Sequence, residues 1–293
     1  DYLNNILSTT DKDYIIASDT DSIYVRFDEL INFINPKNPV DFLDKIAKEK
    51  IEPYITKCYE ELAQYVNAYE QKMDMARMSR EVIADKGIWT AKKRYILNVH
   101  DSEGVRYTTP QLKIMGIEAV KSSTPAPCRE KIKEALQIII NEDEKVLNKF
   151  VQEFRKEFMS LEVEEIAYPR SCNNLKKYRN SSTVFIKGTP MHIKGALIYN
   201  HLLNTEGVGN KYPKIQEGDK IKFLELKTPN RVQSNVISFM TRLPKEFDMK
   251  GIINYDVMFE KSFVDPLTFI LDEINWRVDR SYGTSTTLEH LFG

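Results

Sequence analysis

Two short stretches carry residue types that bind metal ions and phosphates. The first is Asp19-Thr20-Asp21-Ser22. Side chains two apart in an extended segment point to the same face, so Asp19 and Asp21 present two carboxylates together. Paired hard oxygen donors at a hairpin tip suit a hard cation such as Mg2+. The same tetrapeptide also fits an Asx turn that holds no ligand. The second stretch is Lys92-Lys93-Arg94-Tyr95. Read as the opening of a strand, alternation puts Lys93 and Tyr95 on one face and Lys92 and Arg94 on the other. Cations there can neutralise phosphates, and an aromatic ring can pack against a sugar or base. A charged, solvated strand end is the plain alternative. Other patterns are poor. Gly207-Val208-Gly209 lacks the third glycine of a dinucleotide fingerprint. The four histidines have no metal-ligand spacing.

The elements that must position these residues follow from periodicity. Residues 13–27 read as two short strands around Asp19-Thr20-Asp21. Residues 39–72 take helical spacing, with Pro53 marking a new start. Strands return at 81–84, 93–99 and 105–107, the last two joined by Asp101-Ser102-Glu103-Gly104. After Pro110 the character shifts, and 129–165 reads as two amphipathic helices. Residues 167–195 are loop-rich and basic. Helices are expected at 195–203 and, despite Pro266, at 259–274, with a strand at 220–226.

A chain of 293 residues holds one large domain or two ordinary ones. The composition shift near 110–120 is the best boundary. At 42% hydrophobic and 29% charged residues, the chain can bury a core, which excludes global disorder. Lys and Arg number 42 against 43 Asp and Glu, so distribution matters more than sum. Residues 1–60 carry 12 acids and 7 bases, 86–133 carry 10 bases and 4 acids, and 166–205 carry 6 bases and no acid. Cys58, Cys128 and Cys172 lie far apart without a C-x-x-C, against a disulfide framework or zinc site and in favour of a reducing cytoplasm. No apolar run approaches the ~20 residues of a membrane span, so no membrane is expected. The chain opens on Asp1 without a basic or apolar leader, which leaves a processed product, a trimmed chain and an internal fragment open.

The order of these pieces resembles the palm of family B DNA polymerases. Ala17-Ser18-Asp19-Thr20-Asp21-Ser22 is similar to the family's Tyr-Gly-Asp-Thr-Asp-Ser, with Ser18 in place of Gly. The likeness continues through Lys92-Lys93-Arg94-Tyr95, then 112–118, then Lys121-Ser122-Ser123-Thr124-Pro125. This run looks like the T-even-type bacteriophage replicative polymerases. Residues 190–195 and 254–261 look like their thumb. The resemblance implies an α+β fold: the C-terminal part of a palm at 1–116, an antiparallel sheet with helices, followed by a mainly helical thumb at 117–280. A flexible tail at 281–293 would carry a clamp-binding peptide anchored by Leu288, Leu291 and Phe292.

The same resemblance implies template-directed nucleotidyl transfer from a dNTP to a primer 3′-hydroxyl with two Mg2+ ions. Asp21 would be the principal metal ligand, Asp19 a supporting one, and Glu81 a third carboxylate. Lys92, Lys93, Arg94, Tyr95, Lys113 and Lys121 would hold primer–template DNA. The family's exonuclease domain, its fingers and its earlier palm motif are absent. An N-terminal polymerase part and a sliding clamp are therefore expected partners, in the cytoplasm of a bacterial host. The chain alone is expected to be inactive. Two further readings stay open: a non-catalytic DNA-binding and clamp-tethering module, and an unrelated metal-dependent nuclease.

Overall fold

β-Branched and aromatic residues on either side of a polar pair make the first hairpin. The computed structural model describes residues 2–69, 76–117 and 121–280. After a short helix α1 (Tyr2–Leu7), strand β1 (Ile15–Asp19) pairs antiparallel with β2 (Ser22–Val25). Ala17 faces Tyr24 and Asp19 faces Ser22. Thr20 and Asp21 form the two-residue turn. Thr20 has φ 54°, a costly conformation for a β-branched residue. Two donors to one carbonyl hold it: the Asp21 N–H reaches Asp19 O at 2.7 Å, and Ser22 Oγ reaches it at 3.2 Å.

Helices α2 (Asp28–Ile34), α3 (Pro39–Ile46) and α4 (Glu52–Tyr65) follow. The Asn38 side chain caps α3 by accepting from the Val40 and Asp41 N–H groups. As expected, a helix opens at Pro53, which lies in the first turn of α4, although the chain does not break there. A five-residue π turn, Ala47–Ile51, joins α3 to α4, and helical backbone runs through it. A proline inside a helix lacks the N–H and crowds the carbonyl four residues back. The wider turn just before Pro53 relieves that crowding.

A meander of β3 (Val82–Ala91), β4 (Arg94–Ser102) and β5 (Val105–Met115) completes the first unit. The central strand β4 buries Tyr95, Ile96, Leu97, Asn98 and Val99, so both of its faces are covered. Tyr95, Tyr24 and Trp89 form an aromatic cluster, with ring centroids 5.4 Å apart for Tyr24–Tyr95 and 5.5 Å for Tyr24–Trp89. Gly87 makes room for it: a Cβ there would lie 2.6 Å from the Trp89 ring and 2.7 Å from Leu97. Two strand readings need correction. Lys92 and Lys93 do not open a strand; they are the two-residue turn between β3 and β4, with Ala91 opposite Arg94. Also, β5 continues through Pro110 to Met115. It is an edge strand, where a residue without an N–H breaks no ladder.

The chain divides into two compact units, the first ending at Met115 and the second beginning at Gly116. In the second, α5 (Ala126–Asn141) and α6 (Glu144–Phe158) form the expected helix pair, with Asp143 capping α6. Then come α7 (Val163–Ile166), β6 (Tyr168–Ser171), α8 (Leu175–Tyr178), a small hairpin of β7 (Arg179–Asn180) and β8 (Val184–Phe185), and α9 (Met191–Thr205). Strands β9 (Lys220–Glu225) and β10 (Val236–Phe239) join β6 in an antiparallel sheet of order β10-β9-β6. Helix α9 lies directly on β10. Gly195 permits this approach, because a Cβ there would meet Ser238 Oγ at 2.4 Å and Ser238 N at 2.7 Å.

Helices α10 (Tyr255–Phe259) and α11 (Asp265–Leu271) are joined by a second π turn, Glu260–Val264, again just before a proline, Pro266. Phe154, Phe158, Phe259 and Phe263 pack edge to face or tilted between α6 and this segment, the closest pair at 4.7 Å. Inside the turn, Ser262 Oγ donates to Met258 O at 2.5 Å and accepts from the Cys128 thiol at 3.2 Å. Helices thus account for more of this unit's described residues than strands do, and α9 lies on its three-stranded sheet. No described helix is long and apolar enough to cross a membrane.

Candidate active site

The hairpin tip and the lysine turn meet in the first unit. Asp19, at the last position of β1, is half-buried, and Asp21, in the turn, is exposed. The Lys93 Nζ lies 3.5 Å from Asp19 Oδ1. Lys93 reaches it because the β3–β4 turn places the residue at φ 63°. Two motifs separated by more than seventy residues are thereby brought to one point. Arg94 and Lys92 are exposed beside it.

A second carboxylate–lysine pair stands on the same sheet. Glu81, immediately before β3, is ion-paired with Lys113 on β5. Lys113 sits there because its register partner on β4 is Leu97, two residues along from Tyr95. Tyr95 itself is buried rather than presented to solvent. Its phenol is pushed well above the usual tyrosine range, first by burial, then by a hydrogen bond with Tyr24, then by the negative charges of Glu81 and Asp19. Both carboxylates thus act on one hydroxyl. Tyr95 serves as the packed support between the two pairs.

Behind this surface is an ion network that sequence reasoning missed. Arg80 joins Asp44 at 2.6 Å and also pairs with Asp101, whose side chain is fully buried. Arg106 Nε reaches Asp101 Oδ2 at 2.6 Å, and Arg106 also pairs with Asp41 at 2.9 Å. The Arg80 N–H donates to Glu52 Oε1 at 2.8 Å. Burial opposes the Arg80 charge, but the hydrogen bonds to Asp44 and Asp101 outweigh it. Helices α3 and α4 are thereby tied to the sheet beside Glu81. Contacts of such long sequence separation leave no local pattern to read.

The donor set matches Mg2+, which usually keeps several waters and takes one or two protein carboxylates plus substrate phosphates. Among the described residues, no three His, Cys, Asp or Glu side chains stand together as a ligand set. The ammonium of Lys93 on Asp19 shows that the hairpin accommodates a positive charge beside that carboxylate. Lys121 belongs to the second unit, ahead of α5. Leu288, Leu291 and Phe292, expected to anchor a clamp, lie outside the described residues.

No family model matches the chain. Two curated proteins do. The DNA-directed DNA polymerase of Enterobacteria phage T4 is 35% identical over 308 residues, covering 100% of this chain and 33% of that protein. The DNA-directed DNA polymerase of Escherichia phage RB69 is 38% identical over 287 residues, covering 91% of this chain and 31% of that protein. The chain therefore spans about a third of the length of the curated relatives it matches. Together with the Asp19–Asp21 hairpin and the Lys92–Tyr95 turn, these identities make the chain a homologue of about one third of the family B DNA polymerases of these phages.

Proposed function

We propose that the chain supplies part of the nucleotidyl-transfer site of a replicative DNA-directed DNA polymerase, with residues 1–116 as the later part of a palm and 117–280 as a thumb. The observation that carries this reading is the convergence of Asp19 and Lys93, 3.5 Å apart, from the two motifs of the polymerase pattern. Asp21, with Asp19 in support, would hold Mg2+, and Glu81 would serve as a further carboxylate near Tyr95, since the three do not stand together as one ligand set among the described residues. When bound, the metal supplies charge neutralisation at the attacking and leaving oxygens of phosphoryl transfer. The chain's own residues do the rest. The hairpin fixes the carboxylates on a tip backed by the Tyr24–Trp89–Tyr95 cluster, and rigid support of this kind is what a metal site requires. Lys92, Lys93 and Arg94 bind the primer–template backbone, Tyr95 supports them from below, and Lys113 and Lys121 extend the basic track. A dNTP-gripping lysine, the remaining carboxylate and the exonuclease would come from the N-terminal polymerase part. Leu288, Leu291 and Phe292 would dock on a sliding clamp.

Primer extension tests this. The chain alone gives no extension with Mg2+ and four dNTPs, and the chain joined by the missing polymerase part does. In the joined enzyme, Asp21→Ala abolishes extension while DNA affinity holds, and Asp19→Ala costs less. Full activity of the Asp21→Ala enzyme would refute the metal-ligand assignment. A second reading, a non-catalytic DNA-binding and clamp-tethering module, is favoured by one observation: Asp19 and Glu81 each already carry a lysine counter-ion. Reconstituted extension that is indifferent to Asp21 would select it.

A further inference from the structure

Asp19 and Glu81, whose negative charges both bear on the Tyr95 phenol, are each matched to a lysine, and each lysine comes from a different element. Asp19 on β1 takes Lys93 from the β3–β4 turn, and Glu81 before β3 takes Lys113 from β5. The pairs are solvent-accessible: the Lys93 side chain is 64% exposed against 30% for Asp19, and Lys113 is 31% exposed against 56% for Glu81. Exposed pairs of this kind are weak and exchange easily. Buried pairs nearby, such as Arg80 with Asp101, are not of this type, since the guanidinium and carboxylate there have no access to a replacement partner.

Resting on the polymerase reading above, we propose that Lys93 and Lys113 are exchangeable counter-ions that couple DNA binding to divalent-metal loading. In the free protein the lysines neutralise Asp19 and Glu81 and compete with a metal ion for them. When a nucleic-acid backbone arrives, its phosphates take the ammonium groups, and the released carboxylates become available to the divalent ion. Four charges change partners without any net charge being left unpaired. The phosphates gain cations, and the carboxylates gain a metal. Because such coupling is reciprocal, metal on the carboxylates also frees the lysines for phosphate. The protein would thus avoid holding metal at an empty site and would assemble the ion with its substrate.

Mn2+ is the probe, with the free ion counted by its electron paramagnetic resonance signal. The full 293-residue chain is compared with a Lys93→Gln/Lys113→Gln variant and a Lys93→Arg/Lys113→Arg variant, each at fixed ionic strength. Without DNA, the Gln variant should bind Mn2+ about threefold or more tightly than wild type, since two exposed pairs no longer compete. The Arg variant, which keeps both charges, should follow wild type and shows that the positions tolerate substitution. With a short primer–template duplex added, and the duplex's own Mn2+ uptake subtracted, the wild-type affinity should rise and the Gln variant's should not. Equal Mn2+ affinity of wild type and the Gln variant, or no Mn2+ binding by either, overturns the exchange. The polymerase reading fails on a different measurement: no binding of the duplex by the wild-type chain at low salt.

Discussion

At the scale of single residues, burial sets reactivity. Cys128 and Cys172 are fully buried, and burial pushes both thiols up to about 11, with the charges of Glu217 and Asp219 adding to it at Cys172. Cys58 is exposed on α4. Since the thiolate is the nucleophile, iodoacetamide at about pH 8 should alkylate Cys58 in the native chain and reach the other two only after denaturation. Mass spectrometry of the native product would show one adduct, and two or three native adducts would contradict the packing. The same scale shows what the sequence disclosed. The hairpin around Asp19-Thr20-Asp21 was legible because its flanks are clear β-formers; the alternation expected of an extended segment does not hold there, since Thr20 and Asp21 are the turn. The position of Lys93 was not legible. A two-residue hairpin turn needs positive φ, and the usual signal is Asn or Gly. Thr20 and Lys93 adopt φ 54° and 63° with no such signal, because the paired strands on either side impose it. Lys-Lys therefore read as strand, and the true turn is what swings Lys93 toward Asp19.

At the scale of elements, two contacts decide how the pieces seat. Helix α9 meets β10 through Gly195, so Gly195→Ala drives a methyl group into Ser238 and its backbone. Overpacking against backbone costs about 1–3 kcal/mol, and urea denaturation should show that loss. A change within error would mean that the helix can slide. In the first unit, α3 is tied to the sheet by Arg80 and Asp44. A hydrogen bond from Lys48, then one from Arg80, hold the Asp44 carboxyl below its ordinary value against the cost of burial. A carboxyl depressed in the folded state stabilises fully above its unfolded pKa of ~3.9, and that contribution is lost as pH falls through the lower folded value. Removing the partner is harsher. Arg80→Ala strips one of two arginines from the buried Asp101 and should cost about 3 kcal/mol at neutral pH. The acid-side loss of stability should also shrink in that variant, readable from melting temperatures across pH 3 to 6. An unchanged acid slope would place its origin elsewhere. Helices α5 and α6 were legible from their apolar stripes. The extent of β5 was not, because Pro110 reads as a strand stop until the strand is known to be an edge.

At the scale of the whole molecule, charge is unevenly spread, and on the proposed polymerase reading a near-neutral chain would present its basic stretches to a phosphate backbone. Duplex binding should be weakly sequence-dependent and strongly salt-dependent. Charge reversal at Lys93 and Arg94 together should flatten the log–log salt slope by up to ~0.9 per lost contact, as fluorescence anisotropy titrations would show. An unchanged slope would remove this pair from the interface. The order of motifs was legible across both units. The ion network of Arg80, Asp101 and Arg106 was not, since only the folded chain brings its members together. The two π turns, Ala47–Ile51 and Glu260–Val264, carry a last consequence. Each holds one residue more than an α-helical turn needs. Five residues of a π turn at ~82° each sweep nearly the same angle as four α-helical residues at ~100°, so deleting one residue from 260–264 and closing the turn to a regular helix would change the downstream rotation by only about 10°. Leu267, Ile270 and Leu271, now fully buried, would keep their face on the core. The extra residue is thus absorbed where it stands, and these two turns should tolerate the loss of one residue where the regular helices beside them do not.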